Sequence, residues 1–273
     1  MSLAVIASDT QALLWRWLIH AKRDIMSLTV GLIQPLIWLF FFGGLMRGVF
    51  SGGGGGALGV KLPEGLDYMS FYVSGVIAFT LLTNAVLGGI PIVFDRENGF
   101  IDKILSAPIS RISIVLSRFI YVTGYSLAQA FLVLGASVLM GVRFQGDASA
   151  PIALLGVAGY GALLAAGVTA LSLGLAFKAP HHAVFFTITG FVLTPFVVLS
   201  SAFVPLERIP EGWMRLVATW NPMTHTIDPI RALICGRAAV GGDPAYAFHA
   251  LVLAGFDVLC LAWAVRAIRQ RLD

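Results

Sequence analysis

Six apolar runs, each near or above the roughly 20 residues a helix needs to cross a hydrocarbon core about 30 Å thick, leave this chain few ways to fold. They lie at about 28–46, 71–94, 110–140, 151–177, 183–204 and 246–265. Lipid offers the backbone no hydrogen-bond partner, so each run must close its own bonds as a helix. Composition agrees, because 58% of the 273 residues are hydrophobic, only 12% are charged and the mean hydropathy is +0.88. The solvent of such a chain is mostly lipid. The expected fold is an all-α polytopic membrane protein, one transmembrane domain over 1–273 with six membrane-crossing helices.

The segments outside the runs carry their own patterns. Residues 8–27 repeat in helical register, with Leu13, Leu14, Trp17, Leu18 and Ile25 on one side and Arg16, Lys22, Arg23 and Asp24 largely elsewhere. That pattern predicts an amphipathic helix lying in the membrane interface. The first ten residues hold no charge except Asp9, unlike a cleaved signal. In the connection 205–245, Trp213, Leu216, Val217 and Trp220 share one face, Asn221-Pro222 interrupts, and Ile227, Ile230, Leu233 and Ile234 form a second face. Two short amphipathic helices are expected there, dipping into the membrane surface or capping the bundle. Ala158, Ala162, Ala166, Ala170 and Gly174 form a small-residue stripe that lets another helix come close.

Charge sets the orientation. With both termini placed inside, the inner segments hold eleven Lys and Arg residues and the outer ones seven, four of those in the long connection. Positive charge gathers on the cytoplasmic side, which puts both ends of the chain there. The net charge of +4 is spent near run ends, so it reads as topology and headgroup contact, not as a nucleic-acid surface.

Several chemistries are excluded or weakened by spacing. Gly52–Gly56 invites comparison with a phosphate cradle, yet a P-loop needs Gly-Lys-Ser/Thr, and none of Lys22, Lys61, Lys103 and Lys178 follows a glycine. ATP binding by that mechanism is therefore not available to this chain alone. Cys235 and Cys260 are too few and too far apart for a disulfide framework or metal site and read as small apolar fillers. His181-His182 lacks carboxylate or thiol company, so no metal is expected. Asp257 is the one acid well inside an apolar run, a candidate cargo or proton site, or else a partner for a neighbouring helix.

One charged island, 95–118, separates the second and third runs. Phe100, Ile101, Ile104 and Leu105 cluster at helical spacing, Asp102 and Lys103 point away, and Ala107-Pro108 must end that short helix. Arg96 and Glu97 are available for contacts and Gly99 frees the backbone. On spacing alone, a mechanical contact for a soluble partner and a solvated loop at the headgroups are equally good readings.

Glu97-Asn-Gly99, the Ile/Leu-rich turn and Ala107-Pro108-Ile109-Ser110-Arg111 resemble the cytoplasmic segment of ABC-2 type permeases, the membrane subunits of a class of ATP-binding-cassette exporters. Asn221-Pro222, with Asp228 and Arg231 beyond it, resembles that family's external helical segment, and order and spacing match along essentially the whole chain. The resemblance implies a pair of separate cytoplasmic ATPase subunits that bind ATP and magnesium, this chain binding no cofactor itself. It implies coupling through Glu97, Gly99, Phe100, Ile101, Ile104, Leu105 and Pro108 of the segment 95–110. It also implies a second permease chain, expected to be a copy of this one, in a prokaryotic inner or plasma membrane, and export of an amphiphile: a drug-like compound, a lipid or a lipid-linked glycan. Two other classes stand beside it. In a prenyl-transferase-like membrane enzyme, Asp95, Glu97 and Asp102 would hold magnesium and a pyrophosphate, although no second acidic cluster accompanies them. An ion-coupled transporter would use Asp257, although no inverted repeat is evident.

Overall fold

The computed structural model describes residues 3–23, 25–45, 68–105, 109–142, 144–146 and 148–272, and these form helices joined by turns. Pro108 and the glycine-rich segment Gly52–Gly56 lie outside the described residues.

Helix α1 (Leu3–Arg23) precedes α2 (Ile25–Ile37), whose last turns widen into a π-helical stretch at Trp38–Phe42. Then come α3 (Tyr68–Leu87), α4 (Ile90–Glu97) and α5 (Phe100–Leu105). The long helices α6 (Arg111–Leu139) and α7 (Ala150–Lys178) follow, then α8 (His182–Val198), the short α9 (Trp213–Trp220) and α10 (Pro222–Cys235), and finally α11 (Tyr246–Leu272). Among the described residues four runs are long and apolar enough to cross a membrane: Tyr68–Glu97, Ile112–Leu139, Ala150–Lys178 and Tyr246–Ile268. Gly31–Leu45 and His182–Val198 are shorter apolar helices.

Lipid-like surroundings are written into the surface. Leu139, Leu155, Phe191, Leu251 and Leu259 are each at least 71% exposed on the outside of apolar helices, a pattern a water-soluble fold avoids. Inside, several hydroxyls return to their own helix: Thr80 donates to the Val76 carbonyl and Ser126 to that of Val122, so these two need no water.

α3, α6, α7 and α10 surround a core of Phe71, Ile77, Leu81, Leu164, Met223 and Ile230, and α11 closes on α7. That last approach is close because α7 lacks side chains where α11 arrives. A Cβ on Gly174 would strike the Trp263 ring, and one on Gly167 would collide with the Asp257 carboxylate. The small-residue stripe thus does bring a helix close, at Ala170 and Gly174, and Gly167, about two turns before Gly174 on nearly the same face, extends it although the four-residue spacing leaves it out.

The structure departs from expectation in three places. The second apolar run is not one helix to Phe94, because it breaks at Gly88-Gly89 and restarts with Pro91 in the first turn of α4. The freed groups find partners on other helices: the Gly89 amide donates to Ser172 Oγ (2.9 Å), and Arg118 Nε donates to the Gly88 carbonyl (2.9 Å). The fifth run ends as a helix at Val198 rather than at 204, after Pro195. In the connection 205–245 the two predicted helices are present but unequal. Trp213, Leu216, Val217 and Trp220 of α9 are exposed as an apolar face, whereas α10 is buried nearly all round.

Candidate functional site: two polar clusters at opposite ends of α3–α4

The first cluster grows from the end of α4, where three consecutive side chains leave the helix in three directions. Asp95 faces α1 and pairs with Arg16 at 3.3 Å. Arg96 reaches the end of α7, where its guanidinium donates to the carbonyls of Ala176, Phe177 and Ala179 at 2.6, 3.1 and 3.0 Å. These are the carbonyls a helix end leaves unpaired, and a cation satisfies both them and the negative end of the helix dipole. Glu97 does the converse at the start of α8. Its carboxylate accepts from the His182 amide (2.7 Å) and from His182 Nδ1 (2.9 Å to Oε2), which requires the proton on Nδ1. One turn of helix therefore ties α1, α7 and α8 together.

Immediately after the clasp, Gly99 takes φ +66°, a left-handed value natural to glycine, and reverses the chain into α5. Space around it is open, so backbone conformation alone dictates glycine. Ile101 anchors α5 in a small core with Ile92, Val93, Ala176, Phe177 and Phe185. Phe100 is more exposed, with the Arg16 guanidinium 4.5 Å over its ring. Ile104 and Leu105 lie in the last turn of α5 and Asp102 in its middle. The amino-terminal half of α1 completes the assembly, because Asp9 accepts from the Ser110 amide (3.0 Å) and the Ile6 carbonyl accepts from Ser113 (3.1 Å). Ser110 stands at the start of α6, but its hydroxyl makes no cap bond, and its amide is satisfied by Asp9 instead. α1 packs along α6 with Trp17 buried and Trp15 61% exposed.

The second cluster sits on α10. Asn221 caps that helix, its Oδ1 accepting from the Met223 amide (2.9 Å), while Pro222 occupies the first turn, where a missing N–H costs nothing. Its Nδ2 donates to the carbonyls of Phe196 and Leu199 at the end of α8. About two turns later, Asp228 accepts from Ser201 Oγ (2.6 Å) and pairs with Arg231 at 3.4 Å. Arg231 is only 1% exposed. It donates to Ser74 Oγ (3.1 Å), the Phe71 carbonyl (3.3 Å) and the Ser201 carbonyl (2.6 Å), and its guanidinium lies 3.7 Å over the Phe71 ring. Burial pushes the Asp228 carboxyl above the usual range, opposed by the Arg231 guanidinium and the Ser201 hydroxyl. His225, on the same helix, lies 2.7 Å from His249 between ring nitrogens; burial first and His249 second hold its pKa down to about 4.

The candidate residues therefore divide. Glu97, Gly99, Phe100 and Ile101 converge at one end, Asn221, Asp228 and Arg231 at the other, and Asp257 belongs to neither. Asp257 is buried on α11 against Gly167, and its Oδ1 has no hydrogen-bond partner among the described residues. Two of the acids proposed for magnesium, Asp95 and Glu97, do not converge: Asp95 turns to α1 and Glu97 to α8. Residues that sequence reasoning passed over include Asp9, the only charge in the first ten residues, and Ser201, in a segment that reads as the end of an apolar run. Arg16, Arg96 and His182 were visible, as topology charges, a free contact and an unsupported metal pair; their partners were not.

Residues 8–235 match the family described as ABC-2 type transporter. The chain is similar to the transport permease ycf38 of Porphyra purpurea, 37% identical over 83% of this chain and 74% of that protein. It is also similar to the daunorubicin resistance ABC transporter permease protein DrrB1 of Streptomyces coeruleorubidus, 27% identical over 86% of this chain and 78% of that one. Nodulation protein J of Rhizobium leguminosarum bv. viciae is 25% identical over 94% of this chain and 93% of its own length.

Proposed function

The chain belongs to the ABC-2 type transporter family, and from that premise we propose that it is the membrane subunit of an exporter powered by ATP that a separate pair of subunits hydrolyses. ATP and magnesium belong to those ATPase subunits. Two copies of the chain pair to form the pathway, each with six crossings, the two shorter apolar helices included, and with both termini in the cytoplasm of a prokaryotic inner membrane. α1 then lies along the inner interface and α9 along the outer one. The cargo is an amphiphile: a drug-like compound, lipid or lipid-linked glycan.

The observation that carries this reading is the clasp of Asp95, Arg96 and Glu97. A push on α5 reaches Gly99 and then a single turn whose side chains hold α1, the end of α7 and the start of α8. Force applied to one short helix is thereby shared among three membrane elements. Asp228 and Arg231 act in this scheme as the fixed far end, and Asp257 as a buried carboxylate for a cargo hydroxyl or a proton.

Co-reconstitution with its partner ATPase in vesicles tests this. Gly99→Pro and Glu97→Ala are expected to leave ATP hydrolysis and complex formation measurable while abolishing export; unchanged export in both would contradict the coupling role. Asp257→Asn should lower export only if that carboxylate meets cargo or a proton.

A further inference from the structure

Neither polar cluster accounts for the cavity of about 590 Å³ beside the Gly88-Gly89 break. It opens between α1, α2, α3 and α6. α2 can stand close to α6 there because Gly31 has no side chain: a Cβ would come within 2.8 Å of Gln129. The walls are of two kinds. Pro35, Phe79, Leu87 and Val122 are apolar, while Arg118, Thr83, Tyr121 and Tyr125 are polar, and His20 stands exposed on α1.

Arg118 is the unusual member. It is 6% exposed, its guanidinium lies 4.4 Å over the Trp17 ring and 5.1 Å over Tyr121, and its one hydrogen bond among the described residues is from Nε to the Gly88 carbonyl. Among those residues no carboxylate pairs with it, and no Asp or Glu lines the cavity. Burying a guanidinium this way costs free energy that ring faces only partly offset, unlike Arg231 with its carboxylate. Beside it, the Thr83 hydroxyl is buried with no hydrogen-bond partner among the described residues. Arg118 and Thr83 thus line one space that also offers apolar wall. Arg118 lies seven residues into α6, about 10 Å along the axis, so the polar part of the cavity sits near headgroup depth if the start of α6 is at the interface.

We propose that this cavity is a binding site for an amphiphile with an anionic headgroup, a phosphate or carboxylate seated on Arg118 and Thr83, its apolar part running along α2 and α3. Among the described residues no acid lines the walls, which sets the cavity against zwitterionic and cationic headgroups, since none of those residues would answer a choline. The site stands whether or not export is the chain's activity.

Titration of the purified full-length chain in neutral detergent tests the site, using dioctanoyl phosphatidylglycerol, dioctanoyl phosphatidylcholine and inorganic phosphate as separate probes. Phosphatidylglycerol is expected to bind once per chain and roughly tenfold or more tighter than phosphatidylcholine, the scale of one charge-assisted contact. Inorganic phosphate should not saturate over the same range. Arg118→Gln should remove the preference and Arg118→Lys restore part of it. Because Arg118 also braces the Gly88 carbonyl, Ala21→Phe is the second variant: it fills the cavity from α1 without touching Arg118, and should abolish binding with the unfolding midpoint unchanged. Equal affinity for the two lipids, phosphate binding as tight as phosphatidylglycerol, or unaltered binding in a folded Ala21→Phe chain would overturn the proposal.

Discussion

The two polar clusters use the same chemistry for different ends. Around Asp95–Glu97 the charges are partly exposed, with Arg16 and Asp95 about a quarter accessible, and each pair joins separate elements. Around Asp228 and Arg231 the guanidinium is dry and the carboxylate nearly so; the guanidinium is ringed by three acceptors besides its carboxylate, and an aromatic face closes the last side. A half-wet pair can break and re-form because water takes over either partner; a dry one cannot without exposing an unpaired charge. The first arrangement suits a part that moves, the second a part that holds.

That contrast can be broken by mutation. Arg231→Leu leaves Asp228 buried without its cation and should cost about 3–5 kcal/mol, read as a large fall in unfolding midpoint in detergent. Asp228→Asn combined with Arg231→Leu should recover much of the loss; no recovery would mean that the pair is not the unit.

Acid should weaken the same end. His225 has a pKa near 4 in the folded chain, below the free value of 6.5, so as pH falls from about 6.5 towards 4 the unfolded chain takes up a proton that the folded chain refuses. Stability is then lost across that window and flat above it. His225→Gln should flatten the curve, and an unchanged slope would place the acid sensitivity elsewhere.

At the clasp the effects on stability shrink while those on export remain. Gly99→Ala forces a Cβ into φ +66° and should cost about 1–2 kcal/mol, with Gly99→Asn milder because asparagine tolerates that region. Arg16→Gln should cost at most about 1 kcal/mol, near the limit of detection by thermal unfolding, yet lower export measurably if the pair takes part in coupling.

What could be read beforehand follows the range of the interactions. Asn221-Pro222 was legible because capping and helix interruption are decided within three residues. The helical character of the apolar runs was legible for the same reason, since lipid forces each to satisfy itself. The burial of Arg231 was not: the residue was singled out only by resemblance, and its partners at Phe71 and Ser74 lie in a different helix far back in the chain. The break at Gly88-Gly89 hid inside an apolar run because its freed groups are satisfied by Ser172 and Arg118, which no local pattern reveals. Asp95–Glu97 was recognisable as a charged island, but whether it was solvated or engaged depended on where the ends of α7 and α8 come to rest.

α5 is the proposed contact for a soluble ATPase, and Lys103, exposed on that helix, gives direct access to it. With the buried Cys235 and Cys260 replaced by alanine, single cysteines at Lys103 and at the exposed Val217 of α9 can be compared by cross-linking in membranes that contain the partner ATPase. The prediction is a cross-link from position 103 whose yield changes with ATP, and none from 217. Equal labelling at both positions, or none at 103, would contradict it.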